Sequence, residues 1–168
     1  MKRILIVGSG GSGKSTLSAQ LGKRLGLPVI HMDAEYWQPG WVEPEKPDWQ
    51  RRVDELCDGD AWVMDGNYSG TLASRLAVCD TVIFLDLPRL LCLWRVVSRG
   101  VRYFGVTRPD MAEGCPERWP DLVFLKWIWN YPERSRPKVL ALLQEHAQGR
   151  QIIRLHSRRE VQQFLEGL

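Results

Sequence analysis

The sequence predicts an α/β domain in which five parallel strands are covered by helices on both faces, a three-layer arrangement. Three observations carry that expectation. Short apolar runs recur at residues 4–7, 28–32, 61–64, 81–85 and 151–155, the first of them fully apolar and β-branched as a buried parallel strand should be. Helix-spaced segments separate or follow them, which is the alternation of a parallel sheet. The 168 residues, 44% apolar and 26% charged, suit a single unit, residues 1–168, able to bury roughly 70% of its unfolded surface. That composition excludes disorder, collagen and coiled coil.

Each element has a local reason. Residues 4–7 end in glycines, and Leu17, Leu21 and Leu25 then recur every fourth residue over 14–25 until Gly26 and Pro28 stop the helix. The next three runs end at Asp33, Asp65 and Asp86, so a carboxylate follows each of these strands. Helical patterns occupy 49–57 and 90–104. Pro109, Pro116, Pro120, Pro132 and Pro137 break residues 108–137, leaving only 121–131 as a short helix in a segment that reads as a loop or lid. Pro137 opens a helix over 138–148, and Ser157 caps a last one over 158–168.

Several function classes fall away. The stretches at 81–87 and 90–94 are interrupted by Asp86, Pro88, Arg89 and Arg95, far short of the ~18 apolar residues of a membrane span. After Met1, Lys2 and Arg3 only four apolar residues precede the glycines, too few for a secretory signal. Cys57, Cys79, Cys92 and Cys115 form no CxxC pair, as expected of reduced thiols in a cytoplasmic protein. A net charge of +3 is too small to argue for nucleic acid or anionic membrane as a partner.

The most specific signal is Gly8, Ser9, Gly10, Gly11, Ser12, Gly13, Lys14 and Ser15, a GxxxxGK[ST] pattern between a strand and a helix. Glycines let successive N–H groups turn toward an anion, the helix behind them presents its positive end, Lys14 supplies a point charge, and Ser15 can reach Mg²⁺. With Thr16, these residues form the expected ATP-binding set. Gly8, Gly10 and Gly13 can also be read as GxGxxG with Asp33 as the acidic residue of a dinucleotide site; Lys14 and Ser15 argue against it.

Such a loop needs a carboxylate at a neighbouring strand end for Mg²⁺. Asp65, followed by the turn Gly66, Asn67 and Tyr68, is favoured over Asp33 as the partner of Ser15, with the choice between them open. Asp33 then fits the acceptor side, orienting or deprotonating an attacking hydroxyl, or else simply caps the following segment. Arg89, Arg95, Arg99, Arg102 and Arg108 lie between Leu87 and Pro109 without an acidic residue. Arg95, Arg99 and Arg102 share a helix face, where like charges repel unless an anion such as phosphate sits among them; the alternative is a solvated face. Arg134 and Arg136 could close over the same phosphates. Of eight tryptophans, Trp37 and Trp41, in a loop with Pro39, Gly40 and Pro44, are the ones suited to lining an acceptor pocket.

The glycine loop, the HMD ending at Asp33, VMDGNYSG over 63–70, FLDLP over 84–88, WRVVSRG over 94–100 and RPDMAEGCPER over 108–118 together resemble the bacterial P-loop proteins labelled topology modulation proteins, distant relatives of adenylate kinase. That resemblance covers nearly the whole chain. It implies an adenylate-kinase-like sheet, an acceptor region over about 33–57 and an arginine-bearing lid over about 99–136. It implies that Asp65 corresponds to the carboxylate of adenylate kinase's DGFPR turn. There Asn67, Tyr68 and Ser69 replace the last three residues, so the monophosphate-gripping arginine is missing and Arg75, just downstream, is its candidate substitute.

The expected activity is transfer of the ATP γ-phosphoryl group, with Mg²⁺, to an unidentified small molecule or nucleotide. Catalytic roles fall to Lys14, Asp33, Arg95, Arg99, Arg134 and Arg136, acceptor contacts to Asp33, Trp37, Asn67, Tyr68 and Arg75, and the metal to Ser15 and Asp65. The alternative is a nucleotide-binding regulator or slow ATPase acting through a protein or DNA partner. The family label concerns DNA topology, yet neither a basic surface nor a helix-turn-helix pattern supports direct DNA contact.

Overall fold

The computed structural model describes residues 1–168. Its elements in chain order are β1 (Arg3–Gly8), α1 (Lys14–Leu25), β2 (Val29–His31), α2 (Met32–Tyr36), α3 (Lys46–Cys57), β3 (Trp62–Asp65), α4 (Ser69–Val78), β4 (Thr81–Leu85), α5 (Arg89–Tyr103), α6 (Leu122–Arg134), α7 (Arg136–Glu145), β5 (Gln151–Leu155) and α8 (Arg158–Glu166). All five strands pair in parallel, in the order β2-β3-β1-β4-β5. The expected sheet and its helical cover on both faces are present.

Alternation along β1 divides the core, because successive side chains point to opposite faces of a strand. Ile4 and Ile6 pack with Leu17 and Leu21 of α1 and Leu165 of α8. Leu5 and Val7 pack on the other side with Val53 of α3, Leu72 and Leu76 of α4, and Val139 and Leu143 of α7. Residues 4–7 of β1 are wholly buried, which is why the run contains no polar residue. A third, smaller cluster, Leu87, Cys92, Val96 and Ile128, joins α5 to α6.

Differences from the sequence reading have local causes. Met32 opens α2 rather than ending β2. The short α2 and the ten-residue α4 lacked a readable signal: α4 starts with Ser69, Gly70 and Thr71, weak helix formers, and is stabilised by burial of Leu72 and Leu76 in the core. α6 continues past Pro132 to Arg134. The proline lies in its last turn, where it removes only one backbone bond, and buried Ile128 and Tyr131 anchor the helix. Because α6 is packed on the body of the domain, the irregular part of the expected lid is shorter than 99–136 and runs from Phe104 to Asp121. No helix is long and apolar enough to cross a membrane.

Asp86, just after β4, ties the carboxyl edge of the sheet together. Arg136 Nε donates to both its oxygens, at 2.9 and 3.0 Å, and Arg154 Nε to Oδ2 at 2.9 Å. Burial raises the Asp86 pKa, but the two arginines outweigh that and leave it below the ordinary carboxylate value. Asp86→Asn therefore costs about 2 kcal/mol near neutral pH, less than a fully buried pair because both arginines are partly exposed. A depressed folded pKa means that the carboxylate's contribution is complete above the unfolded value of about 3.9 and is lost as pH falls through the folded one. Urea melts across that range should show the gap between wild type and variant closing toward acid; a gap independent of pH contradicts the assignment.

Candidate active site

The carboxyl ends of β1, β3 and β4 open onto a cavity of about 620 Å³, where parallel sheets of this type carry their ligands. Residues 8–13 run along its floor from β1 into α1. Gly11 and Gly13 have φ of 75° and 97°, and a Cβ at Gly11 would stand 2.3 Å from the Cys92 carbonyl oxygen. Only glycine fits that turn. α1 begins with no side-chain cap and no acidic residue in its first turn, so its leading N–H groups and positive end remain available to an anion. The Ser12 hydroxyl is buried without a hydrogen-bond partner, a further donor for phosphate oxygens. Lys14 Nζ donates to the carbonyls of Gly8 and Ser9, both at 3.0 Å. Burial lowers its pKa, opposed by the nearby charges of Asp33 and then Asp65.

Asp65 is buried at the end of β3. Its Oδ2 accepts from Ser18 Oγ at 2.5 Å and faces His31 Nδ1 at 2.5 Å, while Oδ1 lies 3.4 Å from Ser15 Oγ. A carboxylate oxygen and a hydroxyl side by side at the head of α1 are hard donors suited to Mg²⁺, which takes one or two protein oxygens and completes its shell with phosphate and water. The residues present thus fit Mg²⁺ and a nucleotide triphosphate. Between the two acidic candidates, Asp65 adjoins Ser15, whereas Asp33 accepts a 2.6 Å hydrogen bond from the Tyr68 hydroxyl and lines the cavity with it. His31 was not singled out from sequence; its only signal is its place two residues before Asp33. Burial lowers the pKa of its imidazole, but the hydrogen bond to Asp65 and that carboxylate's charge outweigh it and the pKa rises.

The turn 66–68 beside the phosphate loop is held from two directions. Gly8 N donates to Asn67 Oδ1 at 3.0 Å and Asn67 Nδ2 donates to Gly8 O at 2.6 Å. Arg75 lies beneath, wholly buried, donating to the carbonyls of Gly66 at 2.8 Å, Asn67 at 2.5 Å, Tyr68 at 3.0 Å and Thr71 at 3.3 Å. Burial lowers its pKa to about 10. The expectation that Arg75 replaces a monophosphate-gripping arginine is corrected here, since its guanidinium is enclosed and committed to the turn. Asn67 lines the cavity, but its amide serves the phosphate loop.

From α5, Arg95 Nη1 donates to the carbonyl of Ser12 at 2.8 Å, standing over the phosphate loop. Arg99 Nε donates to Glu117 Oε1 at 3.0 Å, and Arg108 Nε to Glu117 Oε2 at 2.5 Å. The acidic partners missing from residues 88–108 are therefore supplied by the loop that follows. Arg95, Arg99 and Arg108 line the cavity, as do Asp110, the stacked rings of Phe124 and Trp127, and Arg158 and Gln162 of α8. Arg102 is exposed away from it. Arg134 is exposed and Arg136 is spent on Asp86, and neither lines the cavity. Trp37 leans edge-on against Tyr36 and Trp41 at 5.0 and 5.3 Å and does not line the cavity; Tyr68 is the aromatic residue of that cluster that does.

The chain matches no family model. It is 28% identical to the uncharacterized protein YqaC of Bacillus subtilis strain 168 over 149 residues, 86% of this chain and 81% of that protein. Among solved structures it resembles shikimate kinase from Acinetobacter baumannii in complex with shikimate, with a TM-score of 0.59 at 22% identity over 99% of this chain and 92% of that one. It also resembles shikimate kinase from Bacteroides thetaiotaomicron, with a TM-score of 0.56 at 16% identity, over 99% and 95% of the two chains. At those identities the likeness is one of fold: a P-loop kinase fold with sheet order 2-3-1-4-5.

If Arg75 acts through the 66–68 turn, Arg75→Met, which orphans buried carbonyls, lowers stability by about 3 kcal/mol, measured as a shift in the denaturant midpoint. An acceptor-gripping role would instead leave that midpoint unchanged.

Proposed function

We propose that the protein is an ATP- and Mg²⁺-dependent phosphotransferase acting on a small-molecule or nucleotide acceptor. The observation that carries this reading is the placement of two carboxylates near Lys14, Asp65 beside Ser15 and Asp33 lining the open cavity. The likeness to the shikimate kinase fold supports it. Membership of the topology modulation group belongs to this reading, resting on VMDGNYSG, WRVVSRG and the segment around Cys115. A cytoplasmic location also belongs to it, in keeping with four free cysteines.

The uncapped start of α1, the Ser12 hydroxyl and Lys14 bind the β- and γ-phosphates. Ser15 and Asp65 hold Mg²⁺, which neutralises phosphate charge when bound. Asp33, oriented by the Tyr68 hydroxyl, takes the proton of the acceptor hydroxyl. The acceptor oxygen then forms its bond to the γ-phosphorus as the bond to the bridging oxygen breaks and ADP leaves. Arg95, which no carboxylate answers, faces the charge that develops on the transferred group.

Mg²⁺-dependent ADP formation, measured across nucleoside monophosphates, nucleosides and small hydroxylated metabolites, tests the reading. One acceptor class stimulates turnover, Lys14→Ala abolishes it, and Asp33→Asn lowers kcat by about 10²- to 10⁴-fold with ATP affinity nearly unchanged. Equal ADP formation with and without every acceptor would remove Asp33 from catalysis and leave a nucleotide-binding regulator.

A further inference from the structure

Resting on that reading, we propose that the acceptor is an uncharged or positively charged hydroxyl compound, not a phosphate monoester or a carboxylate. The inference comes from where each cation of the cavity is already engaged. Lys14 and Arg95 stand on the phosphate loop, Lys14 on the carbonyls of Gly8 and Ser9 and Arg95 on that of Ser12. There they answer the charge of the donor phosphates. Arg75, the guanidinium nearest the 66–68 turn, is enclosed beneath it.

Arg158 of α8 lies over the Trp94 ring, next to Arg95, and belongs to the same side of the cavity. Of the arginines lining the cavity that leaves Arg99 and Arg108, and both are neutralised within the protein. Glu117, 6% exposed, accepts from both of them. Both oxygens of Asp110 accept from Arg108 Nη1 at 2.8 Å. With Asp33, the carboxylates outnumber these guanidiniums by three to two. An acceptor anion would have to displace Asp110 from Arg108 and then lie against Asp33, and uncompensated like charge at a partly buried site is strongly unfavourable.

This arrangement is built in rather than a surface accident. The loop carrying Arg108, Asp110 and Glu117 is fastened to residues 38–42: Cys115 Sγ donates to Gln38 O at 3.2 Å, Gly40 N to Gly114 O at 2.9 Å and Trp41 Nε1 to Pro116 O at 3.1 Å. Cys115 is completely buried and Arg108 nearly so. The polar groups left to recognise an acceptor are the Asp33 carboxylate and Tyr68 hydroxyl, with Asp110 behind them. Carboxylates accept hydrogen bonds and attract cations, as hydroxyl and ammonium donors require.

The test separates the two readings by saturating the donor site first. The full chain is loaded with Mg²⁺ and the non-hydrolysable analogue AMP-PNP, and a second ligand is titrated calorimetrically: AMP, shikimate or inorganic phosphate as anionic probes. Failure of AMP-PNP to bind would overturn the kinase reading and this proposal with it. Once it is bound, the wild type takes up none of the three anions at up to about 1 mM. Asp110→Asn, which leaves Arg108 with only the Glu117 carboxylate that it shares with Arg99, gains affinity for AMP or phosphate of about tenfold or more. Stoichiometric binding of any of the anions by the loaded wild type overturns the proposal, whatever the variant does. So does ADP formation stimulated by AMP or shikimate above that with neutral polyols or ethanolamine.

Discussion

The site depends on the junction between the phosphate loop and the turn after β3. Asn67 clasps Gly8 through both ends of its amide, and Arg75 holds the next three carbonyls from below. This restraint matters because Tyr68, a non-glycine residue, has φ of 32°, a conformation with a local cost that surrounding structure must overcome. The turn places Asp65 at its start beside Ser15 and Ser18, and Tyr68 at its end against Asp33. Both carboxylates of the proposed reaction are therefore positioned by one buried guanidinium and one amide. Neither residue needs to touch a ligand to matter.

The charges follow the same division of labour. An α5 face bearing several arginines and no acid looked in isolation like a phosphate-binding stripe. In the folded chain its members diverge: Arg95 meets phosphate-loop carbonyls, Arg99 meets Glu117, and Arg102 faces water. Only Arg95 keeps a charge that no carboxylate answers while facing the cavity. The cost of burying ionised groups is lowered by pairing and hydrogen bonding, and Glu117 meets that need for two arginines at once. This gives a cavity cationic at the phosphate loop and acidic around Asp33, Asp110 and Glu117.

Much of the fold was legible because it is local. Short apolar runs bounded by turn residues read as strands, and those of β1, β3 and β4 are buried almost throughout while β5 at the sheet edge is largely exposed; the Leu17, Leu21 and Leu25 spacing reads as the core face of a helix. α4 escaped because its stability resides in Leu72 and Leu76 meeting the sheet rather than in its own residues. The end of α6 is not legible for the complementary reason: prolines mark where a helix is disfavoured, and burial of Ile128 and Tyr131 carries the helix past Pro132 to Arg134.

By itself the sequence determined the alternating architecture, the phosphate loop with Lys14 and Ser15, and the carboxylates at the strand ends, since these depend on spacing within one turn or strand and on the conformations that glycine alone adopts. Tertiary structure alone decided which arginine reaches the cavity, that Asp65 adjoins Ser15 while Asp33 pairs with Tyr68, and that Arg136 belongs to Asp86. Charged side chains are long and rotatable, and their partners lie 18 positions away for Arg99 and 50 for Arg136. Burial and geometry choose among such partners, and neither is a property of the residue or its neighbours in sequence.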